Sequence, residues 1–289
     1  MATTADLIGN AEGHVSTILR GLDKSSVVAQ IARTTTTDAT TLSFPLAVPE
    51  GDVAWVTEGA ELSEYDARFD QIEVVPRKVG AVSSVTSEAL DDAGTAFNAD
   101  FADVLLTGLT GKIARAVDQA FFGEHQGIMP PGLRSVADVT TIQVDGAWEN
   151  TDPFLAAISE AQGRRTEITA FAAHPSDALA LSSVKRGVGS NESLLSPSAA
   201  EGGPATLIAG VPLVTSPFIE PGVIWGIPGE YCHMVVRREA TIARSTDAQF
   251  SSDRVMFRAT SRIGFGFTYP KAIQRIELVN GDDAAGEGS

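Results

Sequence analysis

A single cysteine, Cys232, in 289 residues excludes an intrachain disulfide and fits synthesis in a reducing cytosol. Histidine is nearly as scarce. His14, His125, His174 and His233 are scattered, so no Cys/His zinc spacing exists. No apolar run approaches the ~18 residues of a membrane span; the longest, around Leu207–Val211, is interrupted by Pro212. The N-terminus has no basic stretch followed by an apolar one, so a secretory signal is not expected. Positive charge is short as well. There are 21 Lys and Arg against 37 Asp and Glu, a net charge of −16. That average field disfavours nucleic-acid binding and an anionic membrane surface. Only five of the bases are lysines (Lys24, Lys78, Lys112, Lys185, Lys271); the arginine excess suits bidentate pairing with carboxylates.

Signatures of catalysis are missing too. There is no G-x-S-x-G nucleophile elbow and no G-x-G-x-x-G after a strand. Gly108-Leu109-Thr110-Gly111-Lys112-Ile113 lacks the spacing of a phosphate loop and falls inside a predicted helix. His174, Ser176 and Asp177 are too close in sequence to make a triad, which assembles in space; they read as a strand end followed by a helix cap at Ser176 or Asp177. Glu58, Glu61 and Glu64 read as a solvated acidic loop, Trp55 as a packing aromatic at a hairpin base, and Cys232 as a small buried hydrophobe. No catalytic, cofactor-binding or metal-ligating residue is expected.

What is present is a globular composition, 43% hydrophobic and 20% charged, with length for about two domains at ~150 residues each. Residues 1–43 read either as an extended arm with little core of its own or as a frayed terminus. Residues 44–80 read as a long β-hairpin, with the alternation of Ile72, Val74, Val79, Ala81 and Val85 giving its returning arm a buried face. At ~15 residues per arm it would reach ~50 Å. Thr86–Asp92 reads as a short helix. Phe97, Phe101, Val104, Leu105, Leu109, Ile113, Val117 and Phe121 predict a long helix over 97–122. A turn-rich connector through Pro130-Pro131-Gly132-Leu133 follows. Strands are expected at 139–144, 168–173, 206–208 and 212–215, helices from Thr151 and from Pro175, and a mobile loop over 186–206. Strands 240–244, 255–262, 264–269 and 273–278 complete an α+β chain, ending in a flexible tail, 281–289.

Charge is segregated along the chain. Glu50 to Glu73 holds eight acids and one base, Arg68. Arg237 to Arg275 holds eight bases and three acids. One reading is two ordinary solvated faces. The other is an acidic hairpin (Glu58, Glu61, Glu64, Asp66, with Trp55 and Arg68) that meets a basic surface (Arg244, Arg254, Arg258, Arg262) on a neighbouring copy.

Several segments, in order, resemble one family. Ala54-Trp55-Val56-Thr57-Glu58-Gly59 matches a W-x-x-E-G hairpin. Pro76-Arg77-Lys78 and Ser87-Glu88-Ala89-Leu90-Asp91-Asp92 precede the long helix, and Pro130-Pro131-Gly132-Leu133 follows it. Ala209–Val214 and the run Arg258–Ala272 resemble later strands. Together, over roughly residues 44–278, they are similar to the major capsid proteins of tailed bacteriophages, the Hong Kong 97-type family. The resemblance implies an extended hairpin (the E-loop, 44–80) lying over a neighbouring subunit. It implies a peripheral domain (81–145 and 236–280) with the spine helix, and an axial domain (146–235). Hexamers and pentamers would close an icosahedral head shell around double-stranded DNA, held without sequence-specific binding. Expected partners are other copies of the chain, a portal, a separate scaffolding protein and a decoration protein, within the virion and with no membrane.

Two departures from that family shape the expectations. Some relatives carry a fused scaffolding segment of about a hundred residues; only 43 residues precede Phe44, so either the chain is already mature or scaffolding is separate or absent, the second being favoured by Met1. Some relatives crosslink through an E-loop lysine, whereas residues 50–73 hold none. Alternatives are an encapsulin-type nanocompartment with cargo enzymes, a soluble enzyme, and another virion component.

Overall fold

The computed structural model describes residues 22, 25–50, 66–88, 94–124, 127–184, 195–197 and 206–279. Its first half contains α1 (Val27–Ile31), β1 (Arg33–Thr37), β2 (Leu42–Glu50), β3 (Asp66–Val74), β4 (Arg77–Thr86), α2 (Gly94–Phe122) and β5 (Thr140–Asp145). Then come α3 (Asp152–Gly163), β6 (Ala170–Ala173), α4 (Pro175–Ser183), β7 (Ser196–Pro197), β8 (Thr206–Ile208) and β9 (Val211–Thr215). The chain closes with β10 (Val223–Ile227), β11 (Cys232–Gln249), β12 (Arg254–Phe267) and β13 (Gln274–Val279). The strands form a four-stranded sheet, β1-β11-β12-β4, a seven-stranded sheet, β5-β13-β10-β6-β9-β8-β7, and a two-stranded ribbon, β2-β3.

Helix α2 has 29 residues, about 44 Å of rise, and starts three residues before the predicted boundary. Leu109, Ile113, Val117, Ala120 and Phe121 form a buried stripe at helical spacing. Phe121 anchors the larger core. Its ring meets Phe122, Phe265 and Phe267 at centroid distances of 5.2, 5.1 and 5.6 Å. The helix stops where Gly132 crosses its end. A Cβ on Gly132 would lie 2.1 Å from the Ala120 carbonyl oxygen and 2.6 Å from that of Phe121. Only glycine permits that approach, which is the physical content of the Pro-Pro-Gly-Leu connector.

The predicted break between strands 255–262 and 264–269 does not occur. β12 runs through both segments, with Ile263, Phe265 and Phe267 buried on its core side. Gly264 and Gly266 do not interrupt it, because their bare faces are needed on the other side. A Cβ at Gly264 would lie 2.8 Å from Val74 and 3.2 Å from the Pro76 Cα; one at Gly266 would lie 2.8 Å from Val74 and 3.2 Å from Phe44. The base of the β2-β3 ribbon therefore lies directly on the sheet.

The N-terminal arm also departs from expectation. At residue 22 and over residues 25–37 it is part of the fold: Leu22, Val28, Ile31 and Ala32 are buried in the main core, and β1 pairs in parallel with β11. The polar run Thr34–Thr37 suggested little packing, but a sheet edge needs backbone pairing, and β-branched threonine suits a half-exposed strand.

A second core lies on the seven-stranded sheet. Phe154 is edge-on to Phe171 at 5.2 Å. Buried Asp177 accepts hydrogen bonds from Trp148 Nε1 (3.0 Å) and the Gly222 amide (2.9 Å), joining three segments. Helix α4 is capped by neither Ser176 nor Asp177. His174 is its N-cap, its ring nitrogen accepting from the Ser176 amide at 3.2 Å; Asp177 is turned inward. Residues 140–145 and 274–279, grouped by sequence with the spine helix, instead hydrogen-bond into this sheet, where β13 pairs with β5 and β10. Ile276 belongs to this second core. The expected loop over 186–206, the tail from 281 and most of the helix expected over 86–92 fall outside the described residues.

Candidate assembly surface

The β2-β3 ribbon pairs Leu42 with Val74 at its base and Glu50 with Asp66 at its far end. Each described arm has nine residues, about 30 Å at ~3.4 Å per residue; the remainder of the hairpin, on which the ~50 Å expectation depends, lies outside the described residues. Asp66 and Arg68 lie on the returning arm, with Arg68 opposite Val48. Trp55, Glu58, Glu61 and Glu64 fall in 51–65, outside the described residues. The ribbon's anchorage is well defined. Besides Val74 over the two glycines, the Phe44 ring stacks on the His233 imidazole, centroids 4.4 Å apart and 26° between planes.

His233 is only 8% exposed. Burial first, and then the charge of Arg33, hold its pKa below the usual value of 6.5. Arg33 stands opposite it in the β1-β11 register. Asp118 on α2 is the other perturbed group. It accepts from the Ser26 hydroxyl at 2.6 Å and from the amides of Val27 and Val28 at 3.1 and 3.2 Å. Burial nevertheless outweighs these bonds and raises its pKa above 3.8. Burial likewise pushes the Cys232 thiol upward, leaving it an inert core group.

The basic residues do not all share one surface. Arg254, Arg258 and Arg262 recur every four residues along β12, on the side away from the core, about 13 Å apart. Arg244 is opposite Phe257, so it lies on the other side of the sheet, exposed towards the far end of the β11-β12 hairpin. Arg275 belongs to the seven-stranded sheet, where it meets the Trp225 ring at 5.9 Å and pairs with Glu277 at 2.8 Å. The sequence reading passed over Arg237 and Lys78. Both align with Arg262 across β11, β12 and β4, putting three cations in one cross-strand row. Lys78 is exposed. Pairing β4 and β11 with β12 from sequence would have revealed the row, since the register of the three strands fixes which residues share a face.

Among the described residues, no group of three His, Cys, Asp or Glu could hold a metal, and no helix is long and apolar enough to cross a membrane. The site is a set of charged and apolar faces around an anchored ribbon.

The chain belongs to the phage capsid family, which it matches over residues 12–278. Its fold is that of solved Hong Kong 97-type shells. It is similar to the capsid of an empty GTA particle, with 20% identity and a TM-score of 0.68 over 88% of this chain and 90% of that one. It is also similar to a structure of Microbacterium phage Oxtober96, at 15% identity and TM-score 0.66 over 88% and 91% of the two chains. A virus-like particle from Pyrococcus furiosus matches at 13% identity and TM-score 0.57, over 91% and 98%. No curated protein matches the sequence. The protein is a capsid shell protein, of a family whose members build structure rather than turn over substrate.

Proposed function

We propose that copies of this chain form hexamers and pentamers that close an icosahedral head shell around double-stranded phage DNA. The observation that carries this reading is the ribbon β2-β3. It is clamped at its base by Phe44 and Val74 and leads into a segment rich in Glu and Asp. The row Arg237-Arg262-Lys78 and the stripe Arg254-Arg258-Arg262 carry the opposite charge on one face of the four-stranded sheet. An ion pair at a surface is worth ~0–1 kcal/mol, but a shell repeats it at every contact. In this reading the four-stranded sheet with α2 is the peripheral part. The seven-stranded sheet, including β5 and β13, is the axial part that meets its copies around the symmetry axes. The shell is the virion's outer wall, assembled in the host cytoplasm with a portal, a separate scaffolding protein and a decoration protein as partners. Its net charge of −16 keeps packaged DNA from adhering to the wall.

A nanocompartment that holds protein cargo is the second reading, favoured by the likeness to the Pyrococcus furiosus virus-like particle. The test is electron microscopy and nuclease treatment of particles from phage-producing cells. Polyhedral particles containing nuclease-protected DNA support the head shell. Polyhedral particles filled with protein support the second reading, and a purely monomeric product contradicts both. Replacing Glu58 and Glu61 together by Lys should abolish shells while leaving a folded monomer; normal shell yield would rule out the electrostatic part of the proposal.

A further inference from the structure

The connector after α2 leaves an apolar groove between the helix and the start of β4. Ala116, Val117, Ala120, Ile128, Met129 and Phe265 line it, around a cavity of about 120 Å³. Ile128 is 83% exposed at its edge, adding apolar surface that an inserted side chain would cover. Arg77 and Lys78, both exposed, close one side, so the groove is carbon within and cationic at the rim. Its occupant should therefore be an apolar side chain between acids. Residues 61–64 read Glu-Leu-Ser-Glu and are such a segment. Size selects within the hairpin. A cavity of roughly 150 Å³ accepts a benzene ring; this one is smaller, which favours Leu62 over the rings of Trp55 and Tyr65.

The geometry points to this groove as the socket for Leu62 of a second copy of this chain, with that copy's Glu61 and Glu64 meeting Arg77 and Lys78. The inference rests on the assembly reading above and adds the seat of the hairpin tip. The acids beside Leu62 gain from a partly desolvated pairing at the rim, while the leucine removes both its own surface and that of Ile128 from water. Burying one such anchor in a preformed pocket is how a small contact acquires disproportionate weight.

The test is a mixed assembly of two single-cysteine variants, Ser63→Cys and Ile128→Cys, oxidised and run on a non-reducing denaturing gel. Native Cys232 is fully buried and does not compete. The expected result is a dimer band near twice the 30.2 kDa chain mass, present in mixed shells and absent when either variant assembles alone. Mixed shells without that band overturn the socket and leave the assembly reading standing. Failure of the unmodified chain to form shells overturns both. As a second arm, Leu62→Asp should lower shell yield by about tenfold, the factor that ~1.4 kcal/mol produces in an equilibrium, with the subunit still folded by circular dichroism. Unchanged yield from this variant also overturns the socket.

Discussion

Asp118 and Ser26 are 92 residues apart in the chain and 2.6 Å apart in space, the serine hydroxyl donating to the carboxylate. Through this bond, and two more from the amides of Val27 and Val28, the spine helix supplies the cap for the first turn of α1. The N-terminal arm is thereby fastened to the core at one buried carboxylate, between Leu22 and the strand β1.

Removing that carboxylate should release the arm. Asp118→Ala leaves a buried hydroxyl and two amides without their acceptor, at about 1–3 kcal/mol for each group that stays buried. The expected outcome is a loss of roughly 2–4 kcal/mol in urea unfolding of the unassembled subunit, with faster proteolysis before residue 33. The pKa of Asp118 is raised in the fold, so its contribution is fully present below pH 3.8 and declines as pH rises through the folded value. Asp118→Asn should therefore flatten the stability profile above pH 4, and an unchanged profile would contradict the burial argument.

The seat of the ribbon makes a second expectation. Val74 is stiff at χ1 and cannot yield to a Cβ 2.8 Å away. Gly266→Ala should cost about 1–3 kcal/mol by overpacking. Val74→Ala should recover much of that cost in the double variant, an interaction of the size expected for residues in contact. Strict additivity of the two changes in thermal or urea unfolding would show that the ribbon does not rest on Gly266.

How much of this was legible beforehand divides along physical lines. The spine helix, the order of strands and the capsid resemblance came from periodicity and from short motifs, which are local signals. The docking of residues 25–37 was not legible, because a threonine-rich strand gains its place from a partner edge two hundred residues away. The continuity of β12 was hidden by Gly264 and Gly266, which look like breaks until Val74 and Phe44 are seen above them. His174 as a cap was missed because serine and aspartate are the commoner capping residues. The basic residues could be counted from sequence, but sorting Arg244 from Arg254, Arg258 and Arg262 requires the register of β11 on β12.

Acid should loosen the ribbon. The pKa of His233 is lowered in the fold, so the stability it contributes is present above 6.5 and is lost as pH falls through the folded value. Protonation adds a cation beside Arg33 in a buried site. Arg33→Gln should move the imidazole titration upward, measured by NMR of the His233 ring. A titration that stays in place would mean the Arg33 charge does not reach it.

The shell should be held without covalent links between subunits. An isopeptide bond needs a neutral lysine amine delivered to a neighbour's carbonyl, and residues 50–73 contain no lysine. Lys78 sits in a cross-strand row with Arg262 and Arg237 and is exposed to water, not enclosed in the dry site that such a reaction needs. Boiling purified particles in detergent should yield one band near 30.2 kDa; a ladder of ring-sized species would refute this.

Assembly through an anchored ribbon that reaches the next subunit is tested most directly by a side-chain-resolution cryo-electron microscopy map of particles grown from the unmodified chain. Closed shells of five- and six-membered rings are expected, with density for residues 51–65 of each subunit lying on its neighbour beside Arg77, Lys78 and Ile128. Residues 51–65 folded back on their own subunit, or a chain that forms no closed shell, would contradict it.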